Sequence, residues 1–270
     1  MNIKAIRSLF KVKDLPESVY FYTLHKCAST LFSSYVLKKA QKLEHVDYAQ
    51  EIYNGKLPKE FVFHQQGYIY GPIRVTKRLP GLNQLPNHDE RSLTLKLVGL
   101  TTEPSFIKDK TAIFLIRDPR DILVSRYYSF GHSHSFSPVE SIRKFQEQRK
   151  KTDSQQTIDS YALKYAEKLL GSLEIISGLS DSCKQGIVLK YEDMIQHWDH
   201  FAAGLTSHLK FDANVLKEIY HRSRPVESED IYQHRRSGKS RQFEEKLKPE
   251  TVSYLNEIFN VVLERFGYEL

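Results

Sequence analysis

Val19-Tyr-Phe-Tyr-Thr-Leu-His-Lys-Cys-Ala-Ser-Thr-Leu-Phe32 is the stretch on which the reading of this 270-residue chain turns. Val19 to Leu24 is a β-branched, aromatic and aliphatic run, the composition of a buried strand. A helical pattern then opens, with Leu31, Phe32, Tyr35, Val36, Ala40 and Leu43 on one face. Between the two lie His25 to Thr30, six small, polar or basic residues. A strand that feeds a helix through such a turn aims the helix's unpaired N–H groups and dipole at whatever sits over the loop. With Lys26 and two hydroxyls added, a phosphate or sulfate is the fitting occupant. An ordinary strand–turn–helix with Ser29 or Thr30 as its N-cap uses the same residues.

The second informative stretch runs from Thr111 to Tyr128. Ala112 to Ile116 is unbroken apolar sequence, which marks a central parallel strand buried on both faces. It stops at Arg117-Asp118-Pro119-Arg120-Asp121, and helical patterning resumes through Ile122, Leu123, Tyr127 and Tyr128. Open α/β sheets bind ligands beyond the carboxyl ends of their strands, where Arg117 falls. Its planar fork suits a phosphate, and Ser125 lies within the helix that follows. Part of this charge also reads as an Arg–Asp capping network. Strand–loop–helix units at 19–43 and 112–130 together predict an α/β fold.

The two stretches resemble the phosphate-binding elements of the sulfotransferases. His25-Lys-Cys-Ala-Ser-Thr-Leu31 is similar to their 5′-phosphosulfate loop, commonly Pro-Lys-Ser-Gly-Thr-Thr-Trp, with Lys26, Ser29 and Thr30 on the matching positions. His25, Cys27, Ala28 and Leu31 depart from it, Ala28 replacing a glycine. Arg-Asp-Pro-Arg-Asp-x-x-x-Ser resembles the family's 3′-phosphate element. The resemblance implies that Arg117 and Ser125 hold the 3′-phosphate of 3′-phosphoadenosine 5′-phosphosulfate (PAPS). Two further stretches extend it. Gly186-Ile-Val-Leu-Lys-Tyr-Glu-Asp193 reads as a strand into acidic residues and implies Tyr191 near the adenine, although Glu192 and Asp193 equally start a helix. Arg236-Ser-Gly-Lys-Ser-Arg-Gln-Phe243 resembles the segment that closes over the 3′-phosphate, with Arg236, Gly238 and Lys239 as ligands. There Arg241 stands for a second glycine, and Phe243 and Leu247 stand for aromatic anchors. By itself the basic run from Arg222 to Arg241 is simply a solvated loop. Pro249 starts a C-terminal helix that Gly267 stops.

These matches imply one sulfotransferase domain over residues 1–270, a central parallel sheet flanked by helices and similar to the nucleotide kinases. They imply PAPS as donor and its bisphosphate, PAP, as product, with no metal required. The loop residues Lys26, Cys27, Ala28, Ser29 and Thr30 would surround the 5′-phosphate, with Lys26 on the bridging oxygen. The family's Lys-Thr-His base motif is missing, so His64, after a short strand expected at 61–63, is the first candidate base. His88, His132 and His134, or an acid, are the others. His132 and His134 lack the neighbours that would complete a metal set.

Elsewhere the sequence predicts a strand over 93–100, a solvated helix or loop over 141–160, and an amphipathic helix from Ala162 to Ile176. Forty per cent hydrophobic residues suffice for a core, and the formal net charge of +7 favours an anionic ligand. No zinc-finger spacing or aromatic–basic repeat supports nucleic acid. Only Cys27 and Cys183 occur, one inside the anion loop, so both are read as free thiols of a reducing, cytoplasmic setting. Cys27 beside Lys26 is either a packed thiol or an activated one. No signal peptide or membrane span is predicted. The acceptor is expected to be a hydroxyl, or an amine, of a small molecule, lipid or glycan, and the oligomeric state is left open. The alternatives are a P-loop kinase, disfavoured by the missing Gly-Lys-Ser/Thr, and a nonenzymatic anion-binding module.

Overall fold

β1 (Val19–Thr23) is buried along its whole length and forms the middle of the sheet. It pairs in parallel with β3 (Tyr68–Arg74) on one flank and β4 (Thr111–Ile116) on the other. β2 (Glu44–Val46) and β5 (Gln185–Lys190) complete an all-parallel sheet of five strands ordered β2-β3-β1-β4-β5. The computed structural model describes residues 15–76, 88–133, 136–225 and 238–270, with the side chains of 88–91, 132 and 141 excepted.

Alternate residues of β1 anchor the two faces, as strand pleating requires. Phe21 stacks on Phe32 at 4.4 Å, fixing the helical segment α1 (29–39) to one face. Tyr22 stacks on Phe114 at 5.2 Å and donates to the Thr101 carbonyl at 2.9 Å on the other. α1 is not uniform. It starts as Ser29–Leu31, widens to a π-turn at Phe32–Val36 and tightens to a 3₁₀ turn at Leu37–Lys39. The predicted apolar face is nevertheless buried at Phe32, Val36 and Ala40. α2 (Tyr48–Tyr53), α3 (His88–Thr101) and α4 (Pro104–Ile107) follow. α5 (Pro119–Tyr128) continues into a π-turn at Ser129–Ser133, and α6 (Glu140–Ser154) precedes the long α7 (Ile158–Ser182). After β5 come α8 (Tyr191–Gln196), α9 (Trp198–His208), α10 (Ala213–Ser223), α11 (Gln242–Lys246) and α12 (Pro249–Arg265). Gly267, at φ +63°, ends α12. Among the described residues no helix is long and apolar enough to cross a membrane.

Two predicted strands are corrected. Residues 93–100 lie in α3, because of this stretch only Leu97 is buried, and with Thr101, four residues on, it forms one helical face. Among the described residues Phe61 to His64 pairs with no strand. Tyrosine hydroxyls take the place of a ladder, Tyr48 exchanging two hydrogen bonds with Val62 (2.8 and 3.0 Å) and Tyr70 accepting from the His64 N–H at 2.7 Å.

The β1–β3 pairing depends on Gly71. Its φ is +128°, and a Cβ there would stand 2.4 Å from the Phe21 carbonyl oxygen. Backbone on both sides leaves nothing flexible to yield. Gly71→Ala should therefore cost about 2 kcal/mol or more, read as a lower urea midpoint. An unchanged midpoint would show that β3 can shift away from β1.

Candidate functional site

Thr23, the last residue of β1, donates from its buried hydroxyl to the Leu115 carbonyl of β4 at 3.0 Å. The chain then turns over itself, with Lys26 at φ 73° and Ala28 at φ 52°. Both sit in the left-handed region, which costs a residue with a Cβ about 1–2 kcal/mol. Where the resembled loop carries glycine, Ala28 thus keeps glycine's conformation. Ser29 is buried and opens α1, while Thr30 is exposed. Cys27 is fully buried and its thiol is pushed up to about 12 by that burial, against the pull of Arg117. It is a packed thiol.

Arg117 follows β4 and is only 4% exposed. Its guanidinium donates to the Lys26 carbonyl (3.1 Å), the Lys239 carbonyl (3.0 Å) and Asp121 Oδ2 (3.2 Å), and lies 4.2 Å over the Tyr191 ring. Burial opposes its charge, but Tyr191, Asp121 and Glu192 outweigh that and hold its pKa above the ordinary arginine range. Among the described residues its Nε atom is buried without a hydrogen-bond partner. Asp121 is fully buried, takes the Phe243 N–H at 3.1 Å, and is pushed upward by desolvation despite Arg117. Asp118 caps α5 by accepting from the Arg120 N–H at 2.9 Å. Arg120 turns away to Asn256 (2.7 Å) and the Glu269 carbonyl (2.6 Å), which makes it part of the frame.

A cavity of about 940 Å³ lies over the carboxyl ends of β1, β3 and β4. It is lined by Lys26, Ala28, Ser29 and Thr30 of the loop, by Arg117 and Ser125, and by Tyr191 and Gly238. Stretches far apart in sequence thus share one wall. Gly238 has φ +72°, and its carbonyl accepts from the Tyr191 hydroxyl at 2.9 Å. Tyr191 is therefore engaged on its ring face by Arg117 and at its hydroxyl by Gly238. Lys239 is exposed, and its carbonyl accepts from Arg117. Arg241 adopts φ 55°, again a left-handed residue where the resembled segment has glycine. Phe243 is 3% exposed under Arg120.

His64 does not join this wall. It is exposed and stacks on Tyr68 at 4.7 Å, at the amino end of β3. Roughly 20 Å of strand separates that end from Arg74, where the cavity begins. Arg236 and His134 lie outside the described residues, as do the side chains of His88 and His132. The cavity adds residues the sequence reading did not select: His25, Arg74, Arg149 and an apolar side that includes Ile52, Phe136 and Phe145. Arg74 ends β3, so the carboxyl-end rule pointed to it. Arg149 had no such signal, since its helix is placed only by packing.

The sequence matches no family model and no curated protein sequence. Among solved structures, the chain is similar to mouse sulfotransferase SULT7A1 complexed with PAP, at TM-score 0.50 and 11% identity, covering 92% of this chain and 84% of that one. Retinol dehydratase, in complex with androsterone and inactive cofactor PAP, gives TM-score 0.48 and 11% identity over 98% of this chain and 86% of that one. The fold is the sulfotransferase fold.

Ala28→Gly should raise stability by up to about 1 kcal/mol, since glycine takes this backbone without strain, whereas Ala28→Val should lower it. Thermal melts of both variants test this, and a destabilised glycine variant would mean that Ala28 is not strained. Glu192 accepts from the Asp118 N–H (3.1 Å) and the Tyr268 hydroxyl (3.0 Å), and desolvation pushes it up from 4.5 to about 7 despite Arg117. The folded state then binds more protons than the unfolded one between those values. The stability from this group is full below the lower value and is lost as pH rises through the upper one. Glu192→Gln should flatten that decline in urea titrations at about pH 5 and about pH 8. A decline as steep as the parent's would assign it to another group.

Proposed function

We propose that this chain is a PAPS-dependent sulfotransferase acting on a hydroxyl of its acceptor. One observation carries the reading. The β1 loop and the Arg117–Ser125 element line one cavity, and no Asp or Glu lines it among the described residues. The buried, unpartnered Nε of Arg117 suits an anionic oxygen, as does the left-handed loop that presents its N–H groups. The PAP complex of the mouse enzyme of similar fold supports the same ligand.

When bound, PAPS supplies the activated sulfuryl group. Ser29, Thr30 and the loop N–H groups would hold its 5′-phosphate, and Arg117 and Ser125 its 3′-phosphate. Cys27 and Ala28 would contribute backbone only, with Gly238 allowing close approach; Arg236 and Lys239 would extend the basic edge. The Lys26 ammonium would neutralise charge developing on the bridging oxygen, a contribution that belongs to the transition state. The acceptor's proton must leave as its oxygen bonds to sulfur. Among the described residues one histidine, His25, lines the cavity, next to Lys26, and we assign it that role in place of His64. A kinase reading fits less well, because an acid for magnesium is wanted where Arg117 stands.

Three variants test these roles. Lys26→Ala should lower turnover by about a hundredfold or more while PAP affinity falls much less. Ser125→Ala should weaken PAP by about ten- to a hundredfold and leave adenosine monophosphate unchanged. It is cleaner than Arg117→Ala, which would also release the Lys26 and Lys239 carbonyls. His25→Gln should remove the acidic limb of the rate–pH profile. Calorimetry with PAP and turnover with labelled PAPS read all three. Absence of PAP binding by the parent protein would end the proposal.

A further inference from the structure

Five cationic side chains line the cavity among the described residues: Lys26, Arg74, Arg117, Arg149 and Arg222. Three of the arginines are paired, Arg117 with Asp121 (3.2 Å), Arg149 with Asp153 (3.2 Å) and Arg222 with Glu218 (2.7 Å). Arg74 differs. It is half-buried at the end of β3, and among the described residues its guanidinium has no hydrogen-bond, ion-pair or ring partner. A cation held partly out of water with no counter-charge is unfavourable unless a ligand provides one.

The sheet order separates Arg74 from Arg117. β3 and β4 lie on opposite flanks of β1, so Arg74 and Arg117 stand on opposite sides of the Lys26 loop. On the sulfotransferase reading, on which this step rests, the β4 flank takes the 3′-phosphate. The β3 flank is left for the acceptor. That flank also carries Ile52 and Tyr53 of α2, and Ile142 and Phe145 of α6 complete the cavity's apolar side.

We infer that the acceptor is an amphiphilic hydroxy acid. Its anionic group, a carboxylate or an ester of the same charge, sits on the Arg74 fork, its hydroxyl meets Lys26 and His25, and its apolar body lies against Ile52, Tyr53 and Phe145. Guanidinium and carboxylate match in plane and spacing and bond bidentately. An ammonium-bearing acceptor meets a wall of like charge.

The test titrates the PAP-loaded protein and its Arg74→Gln variant with two matched pairs of probes. These are para-hydroxyphenylacetate against its amide, and ω-hydroxydecanoate against its methyl ester. The parent should bind the carboxylate of at least one pair about tenfold or more tighter than its neutral partner. Arg74→Gln should abolish that preference and leave PAP affinity within about twofold. A parent with no preference in either pair, or a variant that keeps the preference, overturns the inference. So does a variant that weakens PAPS far more than PAP, since Arg74 would then hold the donor's sulfuryl group. If PAP does not bind but the Arg74-dependent preference is present, the anion site stands and the transfer reading falls. If PAP binds and the preference is absent, only the acceptor class falls.

Discussion

A single buried guanidinium holds the site together. Arg117 donates to the carbonyls of Lys26 and Lys239, pairs with Asp121 and covers Tyr191. It therefore joins the loop after β1, the end of β4, the start of α8 and the segment leading into α11. A buried charge must have its partners, and each partner here belongs to a different part of the chain. Asp121 passes the constraint on through the Phe243 N–H, and Arg120 with Asp118 passes it to Asn256 and the C-terminal residues. The same arginine lines the cavity and, among the described residues, has no hydrogen-bond partner for its buried Nε. A cavity-lining group and the architecture that shapes the cavity are thus one residue.

Backbone shape at this site is more demanding than side-chain identity. Ala28 and Arg241 both adopt left-handed conformations, where glycine would meet no steric opposition. Arg241 has offsetting contacts, to Glu244 (2.5 Å) and to Glu269 (2.6 Å), though exposed pairs of this kind contribute little. Ala28 has Ser29 and the α1 start immediately after it, so its conformation sets where the helix's free N–H groups point.

The chain's excess of basic residues is expressed locally as well as over the surface. The cavity gathers cations from the segments after β1 and β4, the end of β3, α6 and α10 and, among the described residues, no carboxylate. Its buried acids, Asp121 and Asp153, lie behind the arginines they pair with. Such an arrangement gives the cavity a positive potential.

The sequence determined what local chemistry can encode. An unbroken apolar run makes a buried strand wherever it is placed, so β1 and β4 were legible, as were the helices whose apolar faces repeat at 3.6 residues. Lys26, Ser29, Thr30, Arg117 and Ser125 were singled out by their place after these strands and by the resemblance of their motifs, and all five line one cavity. Tertiary structure decided the rest. Leu-Thr-Leu-Lys-Leu at 93–97 alternates like a strand, yet burial of Leu97 and Thr101 makes it a helix. Phe61 to Phe63 has strand composition, but no neighbour offers it a ladder. His64 follows that segment to the wrong end of the sheet, while His25, dismissed as a departure from the loop pattern, faces the cavity. Arg74 and Arg149 are ordinary basic residues in the sequence. Only the order of the strands and the packing of α6 bring them to the cavity wall, because proximity across a sheet is set by pairing rather than by position in the chain.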